Sequence, residues 1–241
     1  MFDIKSHHRD SIASRLSISF RAGSDKDTQM SISMTVRSLI DACERANHRS
    51  SPYDYWLLES ILPESLCEAV ASLPFEPPDA AIFDGRRETN NSSRIYFNRD
   101  NQQRHGPCRE VADAFRHPEA IRKLKQLTGR DLALGRLRIE YCQDIDGFWL
   151  EPHVDLPVKL FTMLIYLSHD ERLADAGTDV YDASPEHRLI TRASYRWNAG
   201  MIFIPATDSW HGFAKRPIRA LRKSIIINYV AQDWRATDEL A

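Results

Sequence analysis

The pair His153-x-Asp155 is the part of this sequence whose residue types and spacing most directly suggest chemistry. Side chains alternate faces along a β-strand, so residues i and i+2 point the same way, and this histidine and aspartate would aim at one point. An imidazole nitrogen and a carboxylate oxygen that converge can be two ligands of a metal ion, and His211 is the best candidate for a third. Two histidines and one carboxylate form the facial ligand set that holds non-haem Fe(II) and leaves coordination positions open. Zinc is also compatible with these ligand types.

Sequence context separates this motif from a chance match. A second His-x-Asp pair, His8 and Asp10, lies in a polar, serine-rich N-terminal stretch without a strand pattern, and we interpret it as coincidental. The pair at His153 is instead followed by residues 159–167, an apolar run typical of a buried strand. We therefore expect the metal site at His153 rather than at His8.

Composition narrows the class of protein. The chain has 241 residues, 42% of them hydrophobic and 27% charged, which is enough for one large domain or two small ones. A formal net charge of −2 argues against a surface devoted to nucleic-acid phosphates. No apolar run is long enough to cross a bilayer, and the N-terminus lacks the apolar core of a secretory signal. We expect a cytoplasmic protein that binds neither nucleic acid nor membrane, with its four widely spaced cysteines as free thiols.

The first half of the chain is expected to support the rest. Residues 1–50 are predicted to be a partly helical N-terminal extension, and an apolar stripe from Val36 to Cys43 has helical spacing. Residues 51–134 are predicted to form a mixed region in which residues 79–93 are a loop. Its predicted strands and helices lie at residues 53–61, 64–73, 94–98, 108–116 and 118–127.

From residue 135 onward the sequence predicts many short strands separated by turns. These lie at residues 137–143, 159–167, 179–181, 188–191, 201–204 and 223–230. Such spacing favours a β-sandwich or barrel. The predicted class is therefore α+β, with a jelly-roll core over residues 135–232 that forms one globular domain with residues 51–134. A jelly roll can bring His153 and His211 to one metal, although they are far apart in the sequence.

The order and spacing of these residues resemble the Fe(II)/2-oxoglutarate-dependent dioxygenase superfamily, in particular its prolyl-hydroxylase-like branch. The resemblance covers about residues 135–232 and implies a double-stranded β-helix, a cupin-like form of the jelly roll. It is carried by His153-x-Asp155, Lys159-x-x-Thr162-x-x-x-Tyr166, Asn198-Ala-Gly200, His211 and Arg222-x-Ser224.

The resemblance implies that His153, Asp155 and His211 bind iron. It also implies that a basic residue after His211 pairs with the distal carboxylate of 2-oxoglutarate, since a guanidinium can fork onto a carboxylate with two parallel hydrogen bonds. Both Arg219 and Arg222 are compatible with the spacing. We favour Arg222 because a predicted strand begins there, whereas Arg219 lies in the preceding loop.

Four further residues are candidates for the cosubstrate pocket. Tyr166 matches a tyrosine that can donate to the same distal carboxylate, and Tyr141 matches a tyrosine that lines the pocket. Thr162 would face the pocket because it alternates in phase with Tyr166, and Ser224 shares the face of Arg222.

The activity implied by the resemblance uses Fe(II), 2-oxoglutarate and O₂ to hydroxylate an unactivated C–H bond of a small-molecule substrate, with release of succinate and CO₂. The carboxylate of Asp155 favours hydroxylation over halogenation, because halogenating relatives carry a small residue there; desaturation and ring closure stay open. One alternative is a hydroxylase of protein residues, such as prolines. Others are a zinc-dependent cupin-like enzyme and a metal-binding jelly-roll protein without turnover.

Overall fold

The computed structural model of the protein describes residues 25–78, 83–86 and 94–241. These residues contain five α-helices, which precede most of the strands in the chain. They are α1 (Asp25–Glu44), α2 (Glu64–Ala71), α3 (Arg99–Arg104), α4 (Gly106–Arg116) and α5 (Pro118–Thr128). Short 3₁₀ helices lie at Glu171–Leu173 and Thr237–Glu239.

Eleven strands of the described part of the chain form two antiparallel sheets. They are β1 (Asn47–Arg49), β2 (Tyr55–Leu58), β3 (Ile95–Tyr96), β4 (Arg136–Asp144), β5 (Leu150–His153), β6 (Lys159–Tyr166), β7 (Asp179–Tyr181), β8 (Leu189–Arg192), β9 (Gly200–Phe203), β10 (His211–Phe213) and β11 (Arg222–Val230). The larger sheet has the order β1-β2-β9-β6-β11-β4-β3, and the smaller has the order β5-β10-β7-β8. The α+β class predicted from the sequence is confirmed.

The larger sheet has one face toward the helices and one toward the smaller sheet, because successive side chains of a strand point to opposite faces. On β6, Met163 and Ile165 belong to the apolar core that contains the helices. Leu164 and Tyr166 on the same strand pack instead with Phe213 of the smaller sheet. Any residue of the central strands can therefore be assigned to the helical side or to the space between the sheets.

The helical layer follows the sequence patterns closely. The predicted apolar stripe is buried in α1 at Val36, Leu39 and Cys43, although α1 begins well before it. Helix α5 begins at Pro118 and ends at Thr128. The next residue, Gly129, caps it with a φ of 73°, a left-handed conformation that glycine adopts without steric cost. All four cysteines are free and buried, as predicted.

Several elements differ from the sequence predictions. Strands β1 and β10 and helix α3 were not predicted, because each is short and lacks a clear apolar period, and β5 was expected to extend through Asp155 but ends at His153. The N-terminal stretch with His8 and Asp10, and most of the predicted loop at residues 79–93, lie outside the described residues. None of the helices that the structure describes is long and apolar enough to cross a membrane.

Gly200 allows β9 to lie against β6, and this close approach generates a stability prediction. A Cβ at this position would lie 2.0 Å from the carbonyl oxygen of Leu164 and 2.9 Å from Cδ1 of Ile61. Because backbone cannot move away cheaply, Gly200→Ala should lower the free energy of unfolding by about 1–3 kcal/mol. Chemical denaturation of the purified variant measures this quantity.

Gly106→Ala is the matched control for this prediction. Gly106 is the first residue of α4, and no heavy atom lies within 4 Å of an added Cβ. The free energy of unfolding of the Gly106→Ala variant should stay unchanged or rise by at most about 1 kcal/mol. Equal stability of the two variants would show that β9 can move away from β6 without cost.

Candidate metal centre

The structure brings His153, Asp155 and His211 together. One potential ligand atom from each lies within 4.8 Å of the others. The two histidines stand opposite each other on neighbouring antiparallel strands, His153 at the end of β5 and His211 at the start of β10. Their ring centroids are 4.3 Å apart. The pairing of β5 with β10 therefore fixes the spacing of the two imidazoles.

Each imidazole is oriented by a carbonyl oxygen two residues earlier in the chain. Nδ1 of His153 donates to Glu151 at 2.9 Å, and Nδ1 of His211 donates to Ser209 at 2.9 Å. Since a carbonyl oxygen only accepts, Nδ1 carries the proton and Nε2 carries the lone pair that can bind a metal. Burial, followed by the proximity of His211, lowers the pKa of His153 to about 3, so the neutral form required of a ligand is favoured.

Asp155 reaches the site in a different way from the one expected. We expected strand alternation to align it with His153, but β5 ends at His153 and Asp155 lies beyond the strand. Two contacts hold its carboxylate instead: Lys159 Nζ donates to Oδ1 and Thr162 Oγ1 donates to Oδ2, both at 2.7 Å. Burial alone would raise the pKa of Asp155, but Lys159 and His211 hold this pKa well below its ordinary value. The carboxylate is therefore ionised and fixed in place.

Thr162 belongs to a buried row of polar side chains that crosses three strands. Its Oγ1 accepts from Asn228 Nδ2 at 2.9 Å, and Asn228 Oδ1 accepts from Arg138 Nη1 at 3.3 Å. Thr162 lines the cavity next to the three candidate ligands, as predicted. Its hydroxyl hydrogen, however, is donated to Asp155, so its contact in this structure is with a candidate metal ligand.

The three candidate ligands open into a cavity of about 420 Å³ between the two sheets. Arg222 also lines this cavity and is buried. Its Nε donates to the carbonyl oxygen of Ala176 at 2.7 Å, and its Nη1 pairs with the buried carboxylate of Asp144. Arg219 is exposed and does not line the cavity. Of the two arginines left open by the sequence, the geometry therefore favours Arg222.

Ser224 and Arg94 complete the wall near Arg222. Ser224 Oγ is buried and has no hydrogen-bond partner among the described residues. Arg94, just before β3, lines the same cavity and donates from Nη1 to Asp144 Oδ1 at 2.8 Å. One carboxylate thus serves two guanidinium groups, which leaves one net positive charge. Arg94 was not predicted as a site residue because it lies outside the matched motifs. The pairing of β3 with β4 brings it to the cavity wall beside Asp144.

The two predicted tyrosines lie outside the cavity lining. Tyr166 is fully buried between the sheets, where its hydroxyl donates to Thr178 Oγ1 at 2.9 Å and accepts from the Thr178 amide at 3.2 Å. Tyr141 faces the helices, packs edge-on against Phe75 and donates to the carbonyl oxygen of Ala71 at 3.3 Å. Tyr141 therefore does not line this cavity, contrary to expectation, because alternation along β4 turns its neighbours toward the cavity instead.

The hydrogen bond from Thr162 to Asp155 generates a prediction about metal affinity. Thr162→Val removes the donor at nearly constant volume, and loss of a contact that orients a metal ligand typically weakens metal binding by about 10–100-fold. Titration of the metal-free protein with Mn(II) should show a loss of this size. Thr191→Val on the exposed strand β8 is the control and should bind normally; equal affinity in both variants would contradict the role assigned to Thr162.

The fold of this chain is similar to that of several proteins of known structure. No protein-family model and no curated protein matches the sequence. Among solved structures, a prolyl-4-hydroxylase from Pseudomonas putida superposes with a TM-score of 0.53 at 12% identity, over 82% of this chain and 99% of that one. A prolyl hydroxylase from Trichoplax adhaerens, solved with a peptide fragment of the oxygen degradation domain of hypoxia inducible factor, has a TM-score of 0.50 at 13% identity, over 88% and 95%.

A third likeness agrees with these two. Prolyl 4-hydroxylase from Phytophthora capsici has a TM-score of 0.51 at 12% identity, over 83% of this chain and 65% of that one. All three superpositions span more than four fifths of this chain. The fold of this chain is that of the prolyl hydroxylases.

Proposed function

We propose that this protein is an Fe(II)- and 2-oxoglutarate-dependent dioxygenase that hydroxylates an unactivated C–H bond of a small molecule. The observation that carries the proposal is that a single cavity between the sheets is lined by both a His-Asp-His ligand set and Arg222. A metal-binding protein without turnover has no need of a buried arginine aimed into the same cavity. The fold likeness to prolyl hydroxylases supports the same class.

The two sheets are best described as a double-stranded β-helix. Strands β4, β11, β6 and β9 are adjacent in the larger sheet, and β5, β10, β7 and β8 form the smaller one. Non-consecutive neighbours in both sheets are the topology that a jelly roll requires. We infer that this core, with residues 51–134 packed on it, forms one globular domain.

The residues of the candidate metal centre suit Fe(II). The two Nε2 lone pairs and the ionised Asp155 carboxylate supply the nitrogen and oxygen ligands of a facial triad, and three ligands leave positions for other molecules. Iron and 2-oxoglutarate, when bound, supply the chemistry that couples O₂ to hydroxylation with release of succinate and CO₂. The protein holds the ligands at fixed spacing through the pairing of His153 with His211 and through the contacts of Asp155 with Lys159 and Thr162.

The wall around Arg222 suits the distal carboxylate of 2-oxoglutarate. Arg222, Arg94 and Asp144 together carry one net positive charge in a buried setting, and one carboxylate would balance it. Ser224 Oγ, which has no partner among the described residues, can donate a further hydrogen bond to that carboxylate. Phe148 and Phe213, under Arg94 and Arg222 respectively, limit the access of water and so strengthen the ionic contact.

The size of the cavity supports a small-molecule substrate. About 420 Å³ lies within the range of about 300–1,000 Å³ that is usual for small-molecule sites. A prolyl residue of a peptide is the second candidate substrate, favoured by the likeness to a prolyl hydroxylase solved with a peptide. Peptide-stimulated formation of succinate, in the absence of a small-molecule substrate, would select that alternative.

Anaerobic absorption spectroscopy tests the class directly. Addition of Fe(II) and then 2-oxoglutarate to the purified protein should produce a weak visible charge-transfer band, which should fade as O₂ is admitted and succinate appears. Asp155→Ala should lose the band because a metal ligand is missing, whereas Asp175→Ala, an exposed aspartate in the loop after β6, should keep it. Metal binding without a band in the unmodified protein would overturn the proposal in favour of the zinc or non-catalytic alternatives.

A comparison of two arginines tests the cosubstrate contact. Arg222→Leu should raise the concentration of 2-oxoglutarate needed for half-maximal succinate formation by about 10–100-fold, since it removes a charge-assisted hydrogen bond. Arg219→Leu, in the exposed loop before β11, is the control and should change this concentration little. The reverse order of effects would assign the cosubstrate carboxylate to Arg219.

A further inference from the structure

Strand β4 and the C-terminal segment form one part of the cavity wall. The proposed metal and cosubstrate sites do not use this part. Arg138 and Glu140 of β4 line the cavity there, together with Trp234 and Glu239 from beyond β11. Tyr96 of β3 adjoins them. We refer to these five residues as the β4–tail cluster.

The contacts of the β4–tail cluster centre on Arg138. Its Nε donates to Glu239 Oε2 at 2.5 Å, its Nη1 pairs with Glu140 Oε1, and its Nη2 donates to the Tyr96 hydroxyl at 3.0 Å. The guanidinium carbon lies 4.8 Å from the ring centroid of Tyr96 and 5.0 Å from that of Trp234. A planar cation is thus already accepted between these rings, within reach of two carboxylates.

The charges of the β4–tail cluster do not balance. One guanidinium faces two carboxylates, so the cluster carries one net negative charge. Arg94 is close enough to Glu140 to interact with it, but its own salt bridge is with Asp144, which it shares with Arg222. The wall is therefore negative near Glu140 and Glu239 and positive near Arg222, within one cavity.

Glu140 and Glu239 share one guanidinium, that of Arg138, and a cation placed beside the two carboxylates would balance the remaining negative charge. The aromatic rings of the cluster add a second attraction, since the faces of Trp and Tyr attract cations at distances up to about 6 Å. A carboxylate ligand, by contrast, would have to displace Glu140 or Glu239 from Arg138. Charge and ring geometry therefore favour the same type of ligand, an ammonium group.

The β4–tail cluster lies within the reach of a small molecule from the candidate metal centre. Arg138 on β4 pairs with Asn228 on β11, which pairs with Thr162 on β6, and Thr162 contacts Asp155. Two strand spacings of about 4.8 Å place Arg138 about 10 Å along the sheet from Thr162. A molecule anchored at the cluster can thus extend a carbon a few bonds away to the metal centre.

We propose that the β4–tail cluster binds the ammonium group of an amine substrate and so sets the substrate specificity of the cavity. That the amine is a substrate rests on the proposed function. The binding of an ammonium group at this cluster does not depend on that function. Glu140 and Glu239 accept hydrogen bonds from the ammonium group, and the ring of Trp234 covers it.

Isothermal titration calorimetry on the metal-free protein, without 2-oxoglutarate, tests the binding step alone. The probes are n-hexylammonium, the neutral 1-hexanol and the anionic hexanoate, which share one alkyl chain. Hexylammonium should bind at least about tenfold more tightly than either of the others, as expected for a charge-assisted contact. Equal affinities, a preference for hexanoate, or no binding of hexylammonium would each overturn the proposal.

Three variants locate the binding site. Glu239→Gln and Glu140→Gln keep the shape of the wall but remove a charge, and each should reduce the affinity for hexylammonium by about tenfold while binding of hexanol stays the same. Glu239 is partly accessible, so this variant is expected to fold even if Glu140→Gln does not. Glu119→Gln on the exposed surface of α5 is the control; unchanged affinity in Glu239→Gln would overturn the proposal. Neither iron nor turnover is involved in these binding measurements. A negative result for hexylammonium therefore does not affect the spectroscopic test of the proposed function, and a negative spectroscopic result does not affect the binding test.

Discussion

The two-residue period of β4, β11 and β6 is the constraint on which the rest of this structure depends. One set of alternate residues, such as Ile139, Ile227 and Met163, is apolar and packs under the helices. The other set contains the polar side chains of Arg138, Asn228 and Thr162, which meet in one row on the opposite face. Since the period is two, a shift of register by one residue would exchange the two faces completely. The apolar face thus fixes the position of the polar groups that these three strands place in the cavity.

The polar face is expensive to bury, and pairing offsets most of the cost. Asp155 with Lys159, Asp144 with two arginines, and Arg138 with two glutamates each combine opposite charges at hydrogen-bonding distance. Buried ion pairs of this type contribute little net stability, so the stability comes mainly from the apolar packing on the helical side of the larger sheet and between the two sheets. Because these ion pairs are not the main source of stability, they are available for a function. Each group of paired charges either has a surplus of one charge or borders the candidate metal centre.

The helices and strands with a strong apolar period were predicted from the sequence, and most of those without such a period were missed. The apolar run of β6 and the capped helix α5, which begins at Pro118 and ends at Thr128, were predicted almost to their ends. Strand β10, which carries His211, was not predicted, and the end of β5 at His153 was not foreseen, because pairing with neighbouring strands rather than local propensity defines these short strands. The two histidines were nevertheless identified, since their chemistry and order in the chain are visible without the strands.

The rest of the cavity wall depends on contacts between segments distant in sequence. Arg94 is brought to Asp144 by the pairing of β3 with β4, and no local pattern marks it. Tyr141 was assigned to the wrong face because a motif match fixes residue order but not the phase of a strand, and only the pairing of β4 with β11 sets that phase. Sequence position alone can thus point to candidate metal ligands, whereas the walls of the cavity require the register of the sheet.

The C-terminal segment shows how the same contacts can serve folding and recognition. Glu239 pairs with Arg138, the amide of Ala241 donates to the carbonyl oxygen of Leu137 at 2.9 Å, and Asn98 donates to the carbonyl oxygen of Asp238 at 3.1 Å. These contacts attach residues 238–241 to β4 and to the start of α3. Because Arg138 also joins the polar row that ends at Asp155, the segment that closes one side of the cavity is connected by hydrogen bonds to a candidate metal ligand. The β4–tail cluster is thus part of the cavity wall and is linked to the Asp155 carboxylate through Asn228 and Thr162.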